Sequence, residues 1–249
     1  MAQPLSRRDR VRAATVTEIK DTARRILVAE GVDGLSLRAI ARDMGMTAPA
    51  LYRYFPSREE LLVDLIADLY DELSGELEAT RDELADDDLG GRLTAVSRTF
   101  RRWSIGHPAE FALLFGSPLP GPADPAHAGH EQSRAHEAGT RFGQVFGELV
   151  ARVYLTRPFP VPAEEDIDPA LQEQLRAWCD TFPVALPLGV MQVFLSCWIR
   201  LYGSVTMEVF GHLRFAVADA EPVFEAELAE AARLLGFPGL PAGPTAAGR

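Results

Sequence analysis

The sequence predicts an all-α protein in two parts, a three-helix unit at the N-terminus and a larger helical body behind it. Three observations carry this. Apolar residues recur at spacings of three and four in almost every ordered stretch, and alternating β-branched runs are absent. The boundaries between stretches are marked by capping residues, glycines and prolines. A first helix is expected over about 15–30, with Ile19, Ala23, Ile26 and Leu27 on one face and Gly31 and Gly34 at its end. Ser36 is the expected cap of a short helix, 37–44, whose inner face is Leu37, Ile40, Ala41 and Met44, and Gly45 suits the left-handed turn that follows. Thr47 is the expected cap of a third helix, 48–55, with Pro49 in the first turn, where a missing N–H costs little. Pro56 breaks the chain. Ser57 and Glu60 then form a capping box for a long helix to about Leu84, running along Leu61, Leu65, Leu69 and Leu73.

Asp86–Asp88 and Gly90-Gly91 end that helix, and further helices are expected at about 91–106, 108–115, 131–155, 169–181, 187–213 and 222–235. Proline-rich loops at 116–129 and 157–169 interrupt them, and a Gly/Pro/Ala-rich tail closes the chain. The expected division is a domain at 1–58, a helical body at 59–236 and a disordered tail at 237–249.

At 249 residues and 47% hydrophobic composition, the chain can bury a real core, which excludes a disordered protein. Two cysteines, Cys179 and Cys197, both set among apolar residues, do not make a disulfide framework and suit a reducing cytoplasm. Ser6-Arg7-Arg8 is not followed by the apolar segment of a secretion signal. The longest apolar run, 182–199, approaches membrane-span length but contains Pro183, Pro187 and Gln192, so a buried helix is expected there and no membrane partner. The net charge of −11 argues at first against nucleic acid. It averages two unlike halves, because residues 1–58 sum to +5 and the remainder to −16. Such a split suits a polyanion-facing head on an acidic body.

Helix, glycine turn, helix over Leu37–Phe55, behind a supporting helix, is the pattern of a helix-turn-helix, whose second helix enters the DNA major groove. The side chains fit that use. Thr47, Ala48, Pro49 and Ala50 are small enough for close backbone approach to base edges, and Pro49 and Ala50 can pack on a thymine methyl. Tyr52, Arg53 and Tyr54 beside the core residues Leu51 and Phe55 suit a phosphate-contacting face. Arg38 is a base or phosphate contact, and Arg58 at the next helix start is a phosphate contact. A purely structural helical hairpin accounts less well for the tyrosines and the local positive charge. Arg7, Arg8, Arg10 and Arg12 form either a DNA-contacting arm or a solvated basic tail.

Ser36-Leu37-Arg38-Ala39-Ile40-Ala41, Gly45-Met46-Thr47, Leu51-Tyr52-Arg53-Tyr54-Phe55 and Ser57-Arg58-Glu59-Glu60-Leu61 together resemble the N-terminal domain of the TetR family of transcriptional repressors, over about residues 15–65. The resemblance implies a cytoplasmic homodimer that binds a near-palindromic operator and is released by a small, largely apolar effector bound in the helical body. Arg58 stands where the family usually has lysine, and Arg53 stands at a variable position that often reads bases. Trp198-x-x-x-Tyr202-Gly203, with His107-Pro108-x-x-Phe111, resembles a C-terminal subclass marked by a Trp…His-Gly signature, with Tyr202 in place of the histidine.

Phe100, Trp103, Phe111, Phe115, Phe142, Phe146, Trp178 and Trp198 are the candidate pocket residues, with ordinary core as the competing reading. Gly203, Met207, Phe224 and Leu228 are the candidate dimer contacts, against intramolecular packing. His127, His130 and His136 with Glu131 and Glu137 match no compact ligand spacing, so no metal and no cofactor is expected. P-loop, nucleophile-elbow and HExxH motifs are absent, so the expectation is not an enzyme. The competing readings are a small-molecule-binding helical protein with a vestigial helix-turn-helix, and a transcriptional activator.

Overall fold

The computed structural model describes residues 6–116, 133–179 and 184–239. Among them the chain is helical, with one 3-10 turn at Glu164–Asp166 and no strand. The helices are α1 (Arg7–Gly34), α2 (Leu37–Asp43), α3 (Ala48–Leu51), α4 (Arg58–Asp82), α5 (Leu89–Gly106), α6 (Pro108–Phe115), α7 (Arg134–Thr156), α8 (Pro169–Cys179), α9 (Leu188–Val209) and α10 (Glu221–Leu234).

Packing divides the chain into two compact units, Met1–Glu72 with His107–Gly139, and Leu73–Gly106 with Thr140–Arg249. The expected boundary at residue 58 falls inside the first unit, because that unit also includes the start of α4 and α6. Arg24 of α1 explains why. Its guanidinium donates to both Glu72 oxygens on α4, at 2.6 and 3.0 Å, and through Nε to Glu110 of α6 at 3.0 Å. One turn away, Lys20 pairs with Asp68, so two cations on α1 face two acids on α4 in register. Hydrogen bonding to Glu72 raises the Arg24 pKa above its ordinary value, partly offset by desolvation, with Glu110 adding to the rise. Arg134 of α7 faces the same side of α4, 2.6 Å from Asp68, 3.5 Å from Asp71 and 3.8 Å from Asp64.

In the second unit α5 is the anchor. Arg98 and Arg101, one turn apart, make two-point pairs with Glu225 of α10 at 2.8 Å and Glu208 of α9 at 2.7 Å. Arg101 also lies 5.4 Å from the Phe224 ring centroid. Phe100, Phe142, Phe146 and Trp198 form one aromatic cluster with ring centroids 5.5–6.2 Å apart, and Tyr202 stacks on Trp198 at 5.8 Å. The break before α5 is closed by buried Arg92, which bonds Asp86 at 2.6 Å and the Leu84 carbonyl at 2.8 Å. Asp88 caps α5 by accepting from the Gly91 amide at 2.9 Å.

Several boundaries differ from the sequence reading. α1 begins at Arg7, two turns early, because Ser6 caps it by accepting from the Asp9 amide at 3.2 Å. Arg7, Arg8, Arg10 and Arg12 are therefore helical rather than a loose arm. α9 ends at Val209, four residues early, at Gly211 with φ +70°, where the His212 amide reaches back to the Met207 carbonyl at 2.7 Å. α9 is long and apolar enough to cross a membrane, but half of its most apolar window is buried against its own chain. Cys197 is buried as expected, while Cys179 is only half-buried. His127, His130, Glu131, most of the first proline-rich loop and the tail from 240 lie outside the described residues.

Candidate nucleic-acid interface

The turn between α2 and α3 is built as its sequence requires. Ser36 Oγ accepts from the Ala39 amide at 3.1 Å and opens α2. Gly45, at φ +64°, closes it, with the Met46 amide on the Ala41 carbonyl at 2.8 Å and the Gly45 amide on Arg42 at 3.2 Å. Buried Leu37, Ile40, Leu51 and Phe55 hold the hairpin together with Ile19, Ala23 and Leu27 of α1.

α3 departs from expectation. It ends at Leu51, with the rest of 52–55 in turns, and the Tyr54 and Phe55 amides both converge on the Leu51 carbonyl at 2.8 and 3.1 Å. Pro56 disfavours helix at Phe55, which shortens the element. Thr47 occupies the cap position but its side chain caps nothing. The reason lies in the two residues a cap serves: Pro49 has no N–H, and the Ala50 amide bonds the Thr47 carbonyl at 2.9 Å.

The candidate contacts divide by exposure. Arg38, Thr47, Pro49, Tyr52 and Arg53 are exposed, and Ala48 and Ala50 are half-buried beside them. Tyr54 is half-buried, with the Arg12 guanidinium 5.2 Å from its ring centroid. Sequence reasoning named Arg12 only as part of an undecided arm. Its helical phase carries the signal only once α1 is seen to start at Arg7, since Arg8 and Arg12 then fall on the same face as core Ile19.

Arg58 is half-buried and bonded within its own unit. Its Nε donates to the Leu35 carbonyl at 2.7 Å and its Nη2 to the Val32 carbonyl at 2.8 Å. Gly31 breaks the end of α1 at φ +74°, the Val32 carbonyl takes the Leu35 amide at 3.3 Å, and Arg58 adds a charged donor to it. These bonds make Arg58 a clamp inside the head, and a phosphate contact would have to compete with them. Arg58→Ala is expected to lower stability by about 1–3 kcal/mol, as for lost bonds to a charged group, measured by thermal melting. A variant that melts like the parent but binds DNA with a reduced salt dependence would restore the phosphate reading.

With Lys20, Arg24, Arg25 and Arg58 engaged inside their own unit, the positive charge left at the surface is Arg7, Arg8, Arg10, Arg12, Arg38, Arg42 and Arg53. All of it belongs to α1, α2 and the turn after α3.

The second unit holds a pocket of about 540 Å3 of empty space, part of it open to solvent, between α5, α7, α9 and α10. Of the eight candidate pocket residues, Phe146 and Trp198 line it. Phe100 and Phe142 belong to the aromatic cluster behind them, and Trp178 stacks on the lining residue Phe194 at 5.2 Å. Trp103 is buried core, and Phe111 and Phe115 pack against each other in the first unit, their rings tilted by 43°. Leu93, Val150, Leu201, Leu228 and Leu235, which sequence reasoning did not name as pocket residues, supply most of the aliphatic wall. Cys197 also lines it, and burial pushes its thiol pKa up to about 12.

Of the four candidate dimer residues, Gly203 is half-exposed and Met207 is 40% exposed, whereas Phe224 and Leu228 are 1% and 7% exposed within their own chain. Phe224 and Leu228 are core, because the apolar stripe of α10 is used up against α5 and α9.

A compact helix-turn-helix with exposed Arg38, Tyr52 and Arg53 at its tip defines a DNA-binding head. Residues 19–65 match the family model for bacterial regulatory proteins of the tetR family, and residues 93–231 match the tetracyclin repressor-like C-terminal domain. The chain belongs to the TetR family of transcriptional regulators. It is 33% identical to the HTH-type transcriptional regulator Rv1816 of Mycobacterium tuberculosis over 232 residues, covering 89% of this chain and 92% of that protein. The HTH-type transcriptional repressor DrrR1 of Streptomyces coeruleorubidus is 43% identical over 54 residues, 22% of this chain and 20% of that one. Among solved structures, SCO4313 has a TM-score of 0.69 and 30% identity, covering 91% of this chain and 98% of that one.

Proposed function

We propose that this regulator is a cytoplasmic homodimeric repressor, that it binds a near-palindromic operator, and that a small, largely apolar ligand in the α5–α7–α9–α10 pocket releases it. Residues 1–58 act as the reading part of the first unit, and the Trp198-Tyr202-Gly203 pattern supports assigning the body to the Trp…His-Gly subclass. One observation carries the ligand-linked reading: α9 has two working faces. Phe194, Cys197, Trp198 and Leu201 line the pocket. On the opposite side of the helix, Ile199, Gly203, Met207 and Phe210 are exposed or half-exposed along one stripe. A second copy packed on that stripe feels any displacement of α9 caused by a ligand. A ligand favouring one dimer geometry lowers operator affinity by its differential binding to the two states. Two reading helices fit successive major grooves only at about 34–36 Å separation.

The DNA side is tested by gel shift on an operator recovered by genomic pull-down. Arg53→Ala is expected to cost about 1–3 kcal/mol on the operator and much less on random duplex, relaxing the preference at one base pair per half-site. Equal losses on both duplexes defeat base reading by Arg53. No sequence-selective binding by the parent protein defeats the repressor reading, and higher reporter output in the presence of the gene identifies an activator.

A further inference from the structure

We propose that the pocket selects uncharged, hydroxyl-bearing hydrocarbon ligands, such as phenols and alcohols, and rejects carboxylates and phosphates. This rests on the ligand-responsive reading above and adds the chemical class.

The lining is mostly Leu, Val, Ala and aromatic side chains, so its few polar atoms decide selectivity. Their protons are already placed. Ser97 Oγ donates to the Leu93 carbonyl at 2.8 Å. Thr94 Oγ1 lies 3.1 Å from the Gly90 carbonyl and 3.0 Å from that of Gly91, and gives its one proton to them. The Cys197 thiol faces the Ala231 carbonyl at 3.7 Å. Each hydroxyl oxygen keeps acceptor capacity but has no proton left to give.

The charged residue on the lining is an anion, Glu227, whose Oε2 takes a hydrogen bond from Arg200 Nη1 at 2.6 Å. Arg200 is exposed and does not line the pocket, so its charge is spent on Glu227 from outside. The remaining lining donor, the Trp198 indole N–H, is neutral. A carboxylate entering here would lose its hydration and meet no lining cation, while standing beside Glu227. A ligand hydroxyl finds the acceptors it needs on Ser97, Thr94 or Glu227, and its hydrocarbon part finds the aliphatic and aromatic wall.

The test is calorimetric titration of the full-length protein at pH 7 with 2-naphthol and with 2-naphthoate, which share a ring system and differ in charge. 2-Naphthol is expected to bind at least about tenfold tighter, a difference of about 1.4 kcal/mol. Ala232→Leu, which adds three carbons to the pocket wall, is expected to weaken 2-naphthol binding at least about tenfold. Glu227→Gln, near the surface, is expected to narrow the gap by improving 2-naphthoate. Naphthoate binding as tightly as naphthol, no binding of either, or naphthol binding unaffected by a folded Ala232→Leu variant overturns the proposal. A protein that takes 2-naphthol with this selectivity but never binds DNA selectively defeats the repressor reading while leaving the pocket assignment intact.

Discussion

Arg24→Ala is expected to destabilise the protein by at least about 3 kcal/mol, because it strands a buried carboxylate. Glu110 is 4% exposed, and Arg24 is the cation on it. Removing that cation takes the hydrogen-bonded counter-charge from a buried carboxyl group, which costs more than the pair contributes. At this chain length the loss corresponds to a fall in Tm of about 6–12 °C. Two comparisons separate this from a simple loss of surface charge. Glu72 shares the same guanidinium but is about one-third exposed, so Glu72→Gln is expected to cost no more than about 1 kcal/mol. The double variant Arg24→Ala, Glu110→Leu removes both charges and is expected to recover most of the loss. Differential scanning calorimetry of the three variants decides the matter. Equal losses for Arg24→Ala and Glu72→Gln, or no recovery in the double variant, would show that Glu110 is not held as an isolated buried anion.

That network also shows what the sequence could and could not disclose. The order and type of the helices were legible because α4 to α6 and α8 to α10 have sustained apolar periodicity and sharp punctuation at Pro56, Gly90-Gly91, Pro108, Pro169 and Pro187. The start of α1 was not, since Arg7–Arg12 has no apolar rhythm and is fixed by the Ser6 cap alone among local signals. The exposure of the candidate contacts was legible where it follows from composition, as for Tyr52 and Arg53. It was not legible for Arg58, because a cation at a helix start looks the same whether it meets a phosphate or the Val32 and Leu35 carbonyls. Partition within the body was the hardest part. Phe224, Leu228, Phe100 and Trp103 all sit on apolar faces, and periodicity does not distinguish a core contact from a pocket wall or a partner surface.

Ile199→Asp is expected to separate the proposed dimer and to lower operator affinity by about 100-fold or more. Ile199 is 61% exposed, near the middle of α9 and at the start of its outer stripe, so a carboxylate there is solvated in the monomer and leaves its core intact. In a two-fold interface the same change appears twice, placing two unpaired charges in a desolvated apolar contact. Each free head then reaches the operator by a separate bimolecular event. The effective concentration that one bound head gives its twin is lost, an effect of about 10²–10⁴ for linked sites. Affinity for an isolated half-site should be unchanged, because Arg38, Tyr52 and Arg53 are untouched. Sedimentation velocity on the variant, with gel shifts on the full operator and the half-site, reads all three quantities. The opposite control is Leu228→Asp: at 7% exposure Leu228 is core and a pocket wall, so this change is expected to unfold the body rather than split a dimer. An Ile199→Asp protein that remains dimeric with full operator affinity would move the partner surface off the outer face of α9. The link from pocket to DNA would then be sought in the helices that continue across the boundary between the units, α4 at Glu72 and Leu73 and α7 at Gly139 and Thr140.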